Sequence, residues 1–583
     1  MKPDPHPNPE PDRWLFVAAA RAIQSYVLRS DAVKEMVGAS ELVEQLPRQL
    51  FDELAAKCGA VPHTLTAAGG GIRALISDEA AARRLARLWP VAAARYAPGL
   101  ETAVALVKVT GPLAEAIGQA ERQLTWNRQQ PLPSVPPAPP LAARNRRTGL
   151  PGAMLGKPLH ADDGPATEVV DAEARRKRFY SWRNRRTHSA AAASVVDKVT
   201  PPSFKWFKGR VHQKRWPTDF NRLADESSHL AVLHADTNRL GDTIAKALQK
   251  LPAGPERAAR LYRDFSRALT VATERAAQAA MGPVLRQTRE WKRRQEVPLR
   301  PLVCAGEDFT TVLNPEIAVP FTRAYLLALE RTSREEFDRL RQAPDPVIAA
   351  WALHLPDHLT AAAGLVFCKR NHPFSDAYAL AEQLCALAKQ ATERKATALA
   401  FFRIKSSLVA EGNAAAVLDA AFKTCGSRLT MNPYHLGGGP AAGLAGLDAL
   451  LDPARLLDDK PFPRGPLREI VSRAYEGKTA ADKAFARFKQ VQEDLDQGEA
   501  QGEKKLWPQF AAALTKLTGS DSLWKPGTPP ATPLYDALEL RDWLPPEDKP
   551  SDPPARPQER QFWSWFEPDL AATPAFTSLS PAP

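Results

Sequence analysis

One order of elements occurs twice in the 583-residue chain: strand, helix, two strands joined by a glycine turn, helix, strand. No other feature limits the fold as much, because a glycine-turned hairpin between helices fits a layered α+β unit with antiparallel pairing. In the first copy Trp14 to Val17 reads as a strand, and apolar residues from Ile23 to Leu50 recur at helical spacing. Thr64–Thr66 and AAGGGIRALI (67–76) read as the hairpin, a helix rich in Ala, Arg and Leu runs through Leu88, and ETAVALVKV (101–109) closes the unit. In the second copy SHLAVLHAD (228–236) is a strand, 240–291 is largely helical, and RPLVCAGEDFTTVLN (300–314) is the hairpin. Helix 317–343, strand HLTAAAGLVFCK (358–369) and helix 374–395 follow. The hairpins differ: the first turn is Gly69–Gly70–Gly71, whereas the second carries acid.

The rest of the chain is organised around these copies. A proline-alternating tail (1–12) precedes the first unit (13–117), a proline-rich and basic-aromatic insertion (118–227) precedes the second (228–410), and a helical region (411–545) leads to a proline-rich tail (546–583). Of the net charge of +12, all but one unit falls between Leu141 and Arg222, which hold 18 Lys and Arg against 7 Asp and Glu. Charge confined to one stretch points to a polyanionic partner. No uncharged apolar run approaches the ~18–20 residues that span a bilayer, so no membrane role is expected. The N-terminus lacks the apolar core of a signal peptide, and five cysteines without a CxxC pair argue against a disulfide scaffold or a structural zinc site. A cytoplasmic location is expected.

The chemistry concentrates at the acidic turn. Asp236 ends an apolar strand, and Glu307 and Asp308 occupy the turn between two more strands. If the strands are neighbours, three carboxylates converge at one edge, and such like charges need a cation to stay ionised together. Hard oxygen ligands suit Mg²⁺ or Mn²⁺, which bind nucleotide phosphates and can promote attack of a 3′-hydroxyl with loss of pyrophosphate. Gly306 would let the backbone approach a phosphate without a side chain between. Isolated acids in turns are commonly solvent-facing; here the strand-terminal Asp236 and the repeated plan favour a site.

Several stretches resemble the large subunit of type III CRISPR–Cas effector complexes, whose palm domains are relatives of GGDEF-type nucleotide cyclases. In the first copy they are WLFVAAARAIQSYVLRSDAVKEMVGASELVEQL (14–46), AAGGG (67–71) and YAPGLE (96–101). In the second they are HADTNRLG (234–241), LRPLVCAGEDFT (299–310), FTRAYLLALE (321–330) and the run from Leu359 to Gln390, with PLYDALEL (533–540) near the end. The resemblance implies two ferredoxin-like palm domains in tandem, separated by the basic insertion and followed by a C-terminal helical domain. It implies an enzyme that joins NTP, ATP first among them, into a cyclic or linear oligonucleotide messenger in antiviral defence. The family's GGDD turn falls on Ala305, Gly306, Glu307 and Asp308, so Asp236, Glu307 and Asp308 would be catalytic metal ligands and the Thr237 carbonyl a further one. Lys389 matches a lysine set against nucleotide phosphates, and Asn238 falls where the family contacts nucleotide. Ala305 and Glu307 depart from the pattern, and the longer Glu307 side chain would alter metal spacing. The family's N-terminal HD nuclease domain and its cysteine-rich zinc element are expected to be missing. The first copy, having no acid in its turn, is read as a structural partner or a second nucleotide-binding half; its glycines equally suit a tight hairpin.

The insertion contains RNRR (144–147), RRKRFYSWRNRR (175–186) and FKWFKGRVHQKRW (204–216). Arg175, Arg176, Lys177, Arg178, Arg183, Arg185, Arg186, Lys205, Lys208 and Arg210 offer phosphate contacts, and Trp182 and Trp206 offer stacking faces, the combination used on single-stranded nucleic acid. The competing reading is a solvated linker. The partners expected are therefore NTP, a guide or target RNA, and other CRISPR effector subunits, and the alternative function is an inactive RNA-binding scaffold. No HExxH, Walker or Rossmann pattern occurs, and His234 reads as strand packing rather than as a catalytic base.

Overall fold

The computed structural model describes residues 13–30, 32–129, 141–156, 168–186, 194–202, 216–252, 254–287, 296–306, 308–405, 414–424, 426–437, 443–457, 462, 464–498 and 506–544. Both expected tails lie outside them. Among the described residues no helix is long and apolar enough to cross a membrane.

Strands β1 (Arg13–Arg21), β2 (Pro62–Ala68), β3 (Gly71–Ile76) and β4 (Glu101–Val109) form a four-stranded sheet in the order β2-β3-β1-β4. Central β1 is apolar at successive positions because both its faces are covered. Trp14, Phe16 and Ala18 face one core, where the Phe16 ring lies 5.6 Å from Phe51 and 5.8 Å from Trp89. Leu15 and Val17 face a second core, built with helix Leu113–Gln129 and with Ala258, Ala259 and Tyr262 of helix Pro255–Gln287. That last helix therefore belongs to both halves of the molecule. The glycine turn follows from packing: Gly70 has φ +69°, and a Cβ there would stand 2.9 Å from Ala20 Cβ and 3.0 Å from Val43 Cγ1.

Strands β5 (Gly152–Gly156) and β6 (Glu168–Asp171) pair antiparallel within the insertion. The second sheet contains β7 (His229–Thr237), β8 (Leu299–Ala305), β9 (Asp308–Leu313), β10 (Ala361–Lys369) and β11 (Thr397–Arg403). Short strands β12 (Lys423–Thr424) and β13 (Ser427–Arg428) pair with each other, and β14 (Tyr434–Leu436) adds an edge to the second sheet, whose order is β14-β11-β10-β7-β9-β8. Its core order β8-β9-β7-β10 repeats β2-β3-β1-β4, so the duplication seen in the sequence is present in the strand topology. The sheet reaches further than the expected boundary at 410, because β14 comes from beyond it. Likewise the helix that starts at Leu113 passes 117 to cover the first sheet. TALAFFR forms β11, a buried run without the period-2 alternation that marks a strand in the sequence.

Helices Pro315–Arg341 and Phe374–Ala391 lie on opposite faces of the second sheet. Phe309 stacks 4.5 Å from Tyr325 on one face. On the other, β10 and helix 374–391 approach so closely that a Cβ on Gly364 would sit 1.9 Å from the Ala381 carbonyl oxygen and 2.7 Å from Cys385 N. The C-terminal helices pack around Phe462, Phe488, Trp507 and Phe510. The last of them, Leu534–Arg541, is tied down by Asp536, whose buried carboxylate accepts from Thr430 Oγ1 (2.8 Å), Met431 N (2.8 Å) and Tyr434 Oη (2.5 Å).

Gly364→Ala should destabilise the protein by about 3 kcal/mol, the upper range for an overpacked core, since backbone rather than a flexible side chain blocks the methyl. Urea unfolding measures it, and an unchanged midpoint would contradict the close helix–sheet contact.

Candidate functional site

Antiparallel pairing sets the geometry. In the β7–β9 ladder Asp236 is directly opposite Asp308, and His234 is opposite Thr310. Opposed residues share a face, and period-2 alternation puts positions 234 and 236 on it together. Ligand atoms of His234, Asp236 and Asp308 consequently lie within 4.8 Å of one another. On the far side of β7, Asp236 is opposite Ala362 of β10, so this face is the one helix 374–391 covers.

That helix supplies three more groups. The Lys389 ammonium lies 2.5 Å from Asp236 Oδ2 and donates to the Thr237 carbonyl at 3.2 Å. It is a buried counter-charge to carboxylates that would otherwise repel. Cys385 donates its thiol to the Ala362 carbonyl (3.2 Å), and burial pushes its pKa up to about 12. Glu382 is held above the usual carboxylate range by burial and by the Asp236 charge. His234, 3% exposed, shares a hydrogen bond with Thr310 Oγ1 (3.1 Å). Burial depresses its pKa to about 4, against the opposing pull of Asp236, so the imidazole is neutral at pH 7 and keeps a lone pair.

Asp236 Oδ1 is buried without a hydrogen-bond partner among the described residues. An orphaned carboxylate oxygen beside a second carboxylate and a neutral imidazole fits a divalent cation by donor chemistry. Two oxygens and a nitrogen suit Mn²⁺ at least as well as Mg²⁺.

The other expected site residues divide. Glu307 lies outside the described residues. Gly306 takes φ +61° with open space where a Cβ would be, and its carbonyl accepts from Thr273 Oγ1 at 2.9 Å. It borders a cavity of about 730 Å³ between the two sheets, lined from the first by Ala20 and Gly69 and from the second by Asp308 and Thr310. Asn238 is engaged in architecture: its amide N–H bonds the Thr360 carbonyl (2.8 Å) and its Nδ2 bonds Thr360 Oγ1 and the Ala396 carbonyl, both at 3.0 Å. Those bonds use both hydrogens of Nδ2, while Oδ1 is buried without a hydrogen-bond partner among the described residues. Lys389, expected on phosphates, contacts Asp236 and the Thr237 carbonyl.

The basic insertion is corrected more strongly. Helix Ala172–Arg186 packs on helix Val33–Gln45 of the first unit, so it is not a free linker. Lys177 is buried, bonding Glu173 (2.6 Å) and the Tyr26 carbonyl (2.5 Å). Arg178 pairs with Glu35 (2.8 Å) and Glu168 (3.0 Å), and Arg176 bonds the Tyr96 carbonyl (2.7 Å) with its guanidinium 4.9 Å from the Tyr180 ring. These three charges hold the fold rather than face a polyanion; Arg175 is exposed. Trp182, Arg183, Arg185 and Arg186 lie on the C-terminal half of the same helix, and Lys205, Trp206, Lys208 and Arg210 lie outside the described residues.

Sequence reasoning passed over His234 as a ligand and missed Glu382. Both had a signal: position 234 is two before Asp236 on a strand, and 382, 385 and 389 share one helical face.

No family model matches the sequence, and none of the curated proteins does. Among solved structures the chain is similar to a Csm1–Csm4 cassette in complex with pppApA, at 15% identity and TM-score 0.40 over 66% of this chain and 53% of that one. It is also similar to Csm1 of T. onnurineus (15% identity, TM-score 0.38, 65% and 52%) and to a Csm1–Csm4 cassette with cA4 (14%, 0.37, 66% and 53%). The chain spans about half the length of these structures.

Saturating Mn²⁺ at a hundredfold excess over its Kd should stabilise the parent protein by about 2.7 kcal/mol. Asp236→Asn and Asp308→Asn should each abolish the thermal shift, read by differential scanning fluorimetry; equal shifts in all three proteins would place the metal elsewhere.

Proposed function

We propose that the chain is a metal-dependent nucleotidyltransferase with tandem palm units, of the type III CRISPR large-subunit kind, that joins NTP into an oligonucleotide messenger. The observation that carries this reading is the cross-strand placement of Asp236 opposite Asp308, beside a left-handed glycine turn on a large cavity. ATP as the substrate, a cyclic or linear product, and assembly with RNA and other effector subunits follow from the motif resemblance alone.

Asp236 and Asp308 would hold Mg²⁺ or Mn²⁺, with His234 beside them and Glu307 as the family pattern implies. Such ions, when bound, lower the pKa of an attacking hydroxyl and offset charge on the phosphates. The chain's own groups do the remaining work. Gly306, having no side chain, leaves the cavity wall open to a triphosphate. Lys389 pairs with Asp236 at 2.5 Å and holds its side chain at the strand end. A 3′-hydroxyl would give up its proton to solvent as its oxygen bonds to the α-phosphorus, the bond from that phosphorus to the oxygen bridging to the β-phosphate would break, and pyrophosphate would leave with that electron pair. The first unit has no acid in its turn and walls the opposite side of the cavity.

Incubation with labelled NTPs and Mg²⁺ or Mn²⁺, with and without RNA, tests the reading. Asp236→Asn and Asp308→Asn should each reduce pyrophosphate release by more than about 100-fold. Release that survives both substitutions rejects the site. Salt-sensitive RNA binding by a parent protein that turns over no NTP would favour the scaffold function.

A further inference from the structure

Strand β8 is the edge of the second sheet, so carbonyls on its outer side have no further strand to bond. Two of them find partners from outside the sheet, just ahead of the turn that carries Asp308. The Leu302 carbonyl accepts from the Ser40 hydroxyl of the first unit. The Cys304 carbonyl accepts from the Lys198 ammonium at 3.0 Å. Lys198 lies in the short helix Val195–Val199, within the basic insertion, and its side chain is 2% exposed. The same ammonium stands 2.7 Å from Glu44, on helix 33–45 of the first unit, and 3.8 Å from Glu274, on helix 255–287. Gln278 of that long helix donates to the Lys198 carbonyl (2.9 Å), and its Thr273 donates to the Gly306 carbonyl (2.9 Å). The first unit, the insertion, the long helix and the acidic hairpin thus meet at one buried charge.

We propose that Lys198 is a positioning residue for the turn bearing Asp308, and that the first unit, without offering a ligand, holds that turn in place through it. A buried ammonium with two carboxylates and a carbonyl has no low-energy alternative, since removing any partner strands charge in the interior. The turn follows the edge strand β8 and contains Gly306 at φ +61°. Fixing Cys304 fixes the start of the turn, as the β7–β9 ladder fixes its end. The metal-affinity part of the proposal rests on Asp236 and Asp308 being the ligands.

The test is amide hydrogen exchange of the 299–310 hairpin in the full chain, together with Mn²⁺ affinity by electron paramagnetic resonance. Lys198→Met should speed hairpin exchange by about 10-fold or more and weaken Mn²⁺ binding by about 10-fold. Glu44→Gln, which leaves the ammonium in place, should move both in the same direction by less, and serves if Lys198→Met does not fold. Asp536→Asn, a buried carboxylate in the C-terminal region, controls for general destabilisation and should move neither. Unchanged hairpin exchange in Lys198→Met and Glu44→Gln, or equal acceleration in Asp536→Asn, overturns the proposal. Faster exchange in a protein whose parent binds no Mn²⁺ overturns the metal reading and leaves the positioning role standing.

Discussion

The candidate site depends on the register of β7 against β9. Because side chains alternate along a strand, a slip of one residue would turn Asp236 away from Asp308 and bring Ala235 into its place. Burial prevents the slip. Leu233 and Ala235 pack into the core on one face, and Phe309 stacks on Tyr325. The carboxylates are therefore held together by the apolar residues between them, and Lys389 offsets their repulsion. Two acids at a sheet end are ordinary; two acids that cannot move apart, beside a buried neutral imidazole, have a reason to attract a cation.

A second theme is how far the two units depend on each other. Helix 255–287 lies between them: its early residues complete a core of the first sheet, and its later ones touch the turn of the second. Helix 33–45 reaches back from the first unit to the outer edge of β8. The cavity between the sheets has walls from both, so neither unit alone presents that space. The first unit, whose turn carries no acid, contributes these supporting contacts.

The basic insertion shows how charge counts mislead without a structure. Arg176, Lys177 and Arg178 were candidates for phosphate contacts because they sit in a dense run with aromatics. They meet backbone carbonyls, Glu173, Glu35 and Glu168 instead, and Tyr180 and Trp216 are core residues. Glu35 is distant in sequence, and a net count over the stretch does not show which charges pair. A docking helix with buried ion pairs has the same composition as a nucleic-acid arm.

The sequence by itself determined the strand-helix-hairpin order, its duplication and which turn carries acid, because hydrophobic period and glycine placement are local properties of the chain. It also singled out Asp236, Asp308 and Gly306, which lie at strand ends and a turn. Contacts across the fold came only from tertiary structure. His234 joined the acids through strand pairing, and Lys389 turned to Asp236 through helix docking on Gly364. Asn238 was taken up by strand ends 122 and 158 residues away. Lys198 became the meeting point of both units. Each of these assignments is a distance between residues far apart along the chain, and such distances are set by how layers pack, which no local pattern encodes.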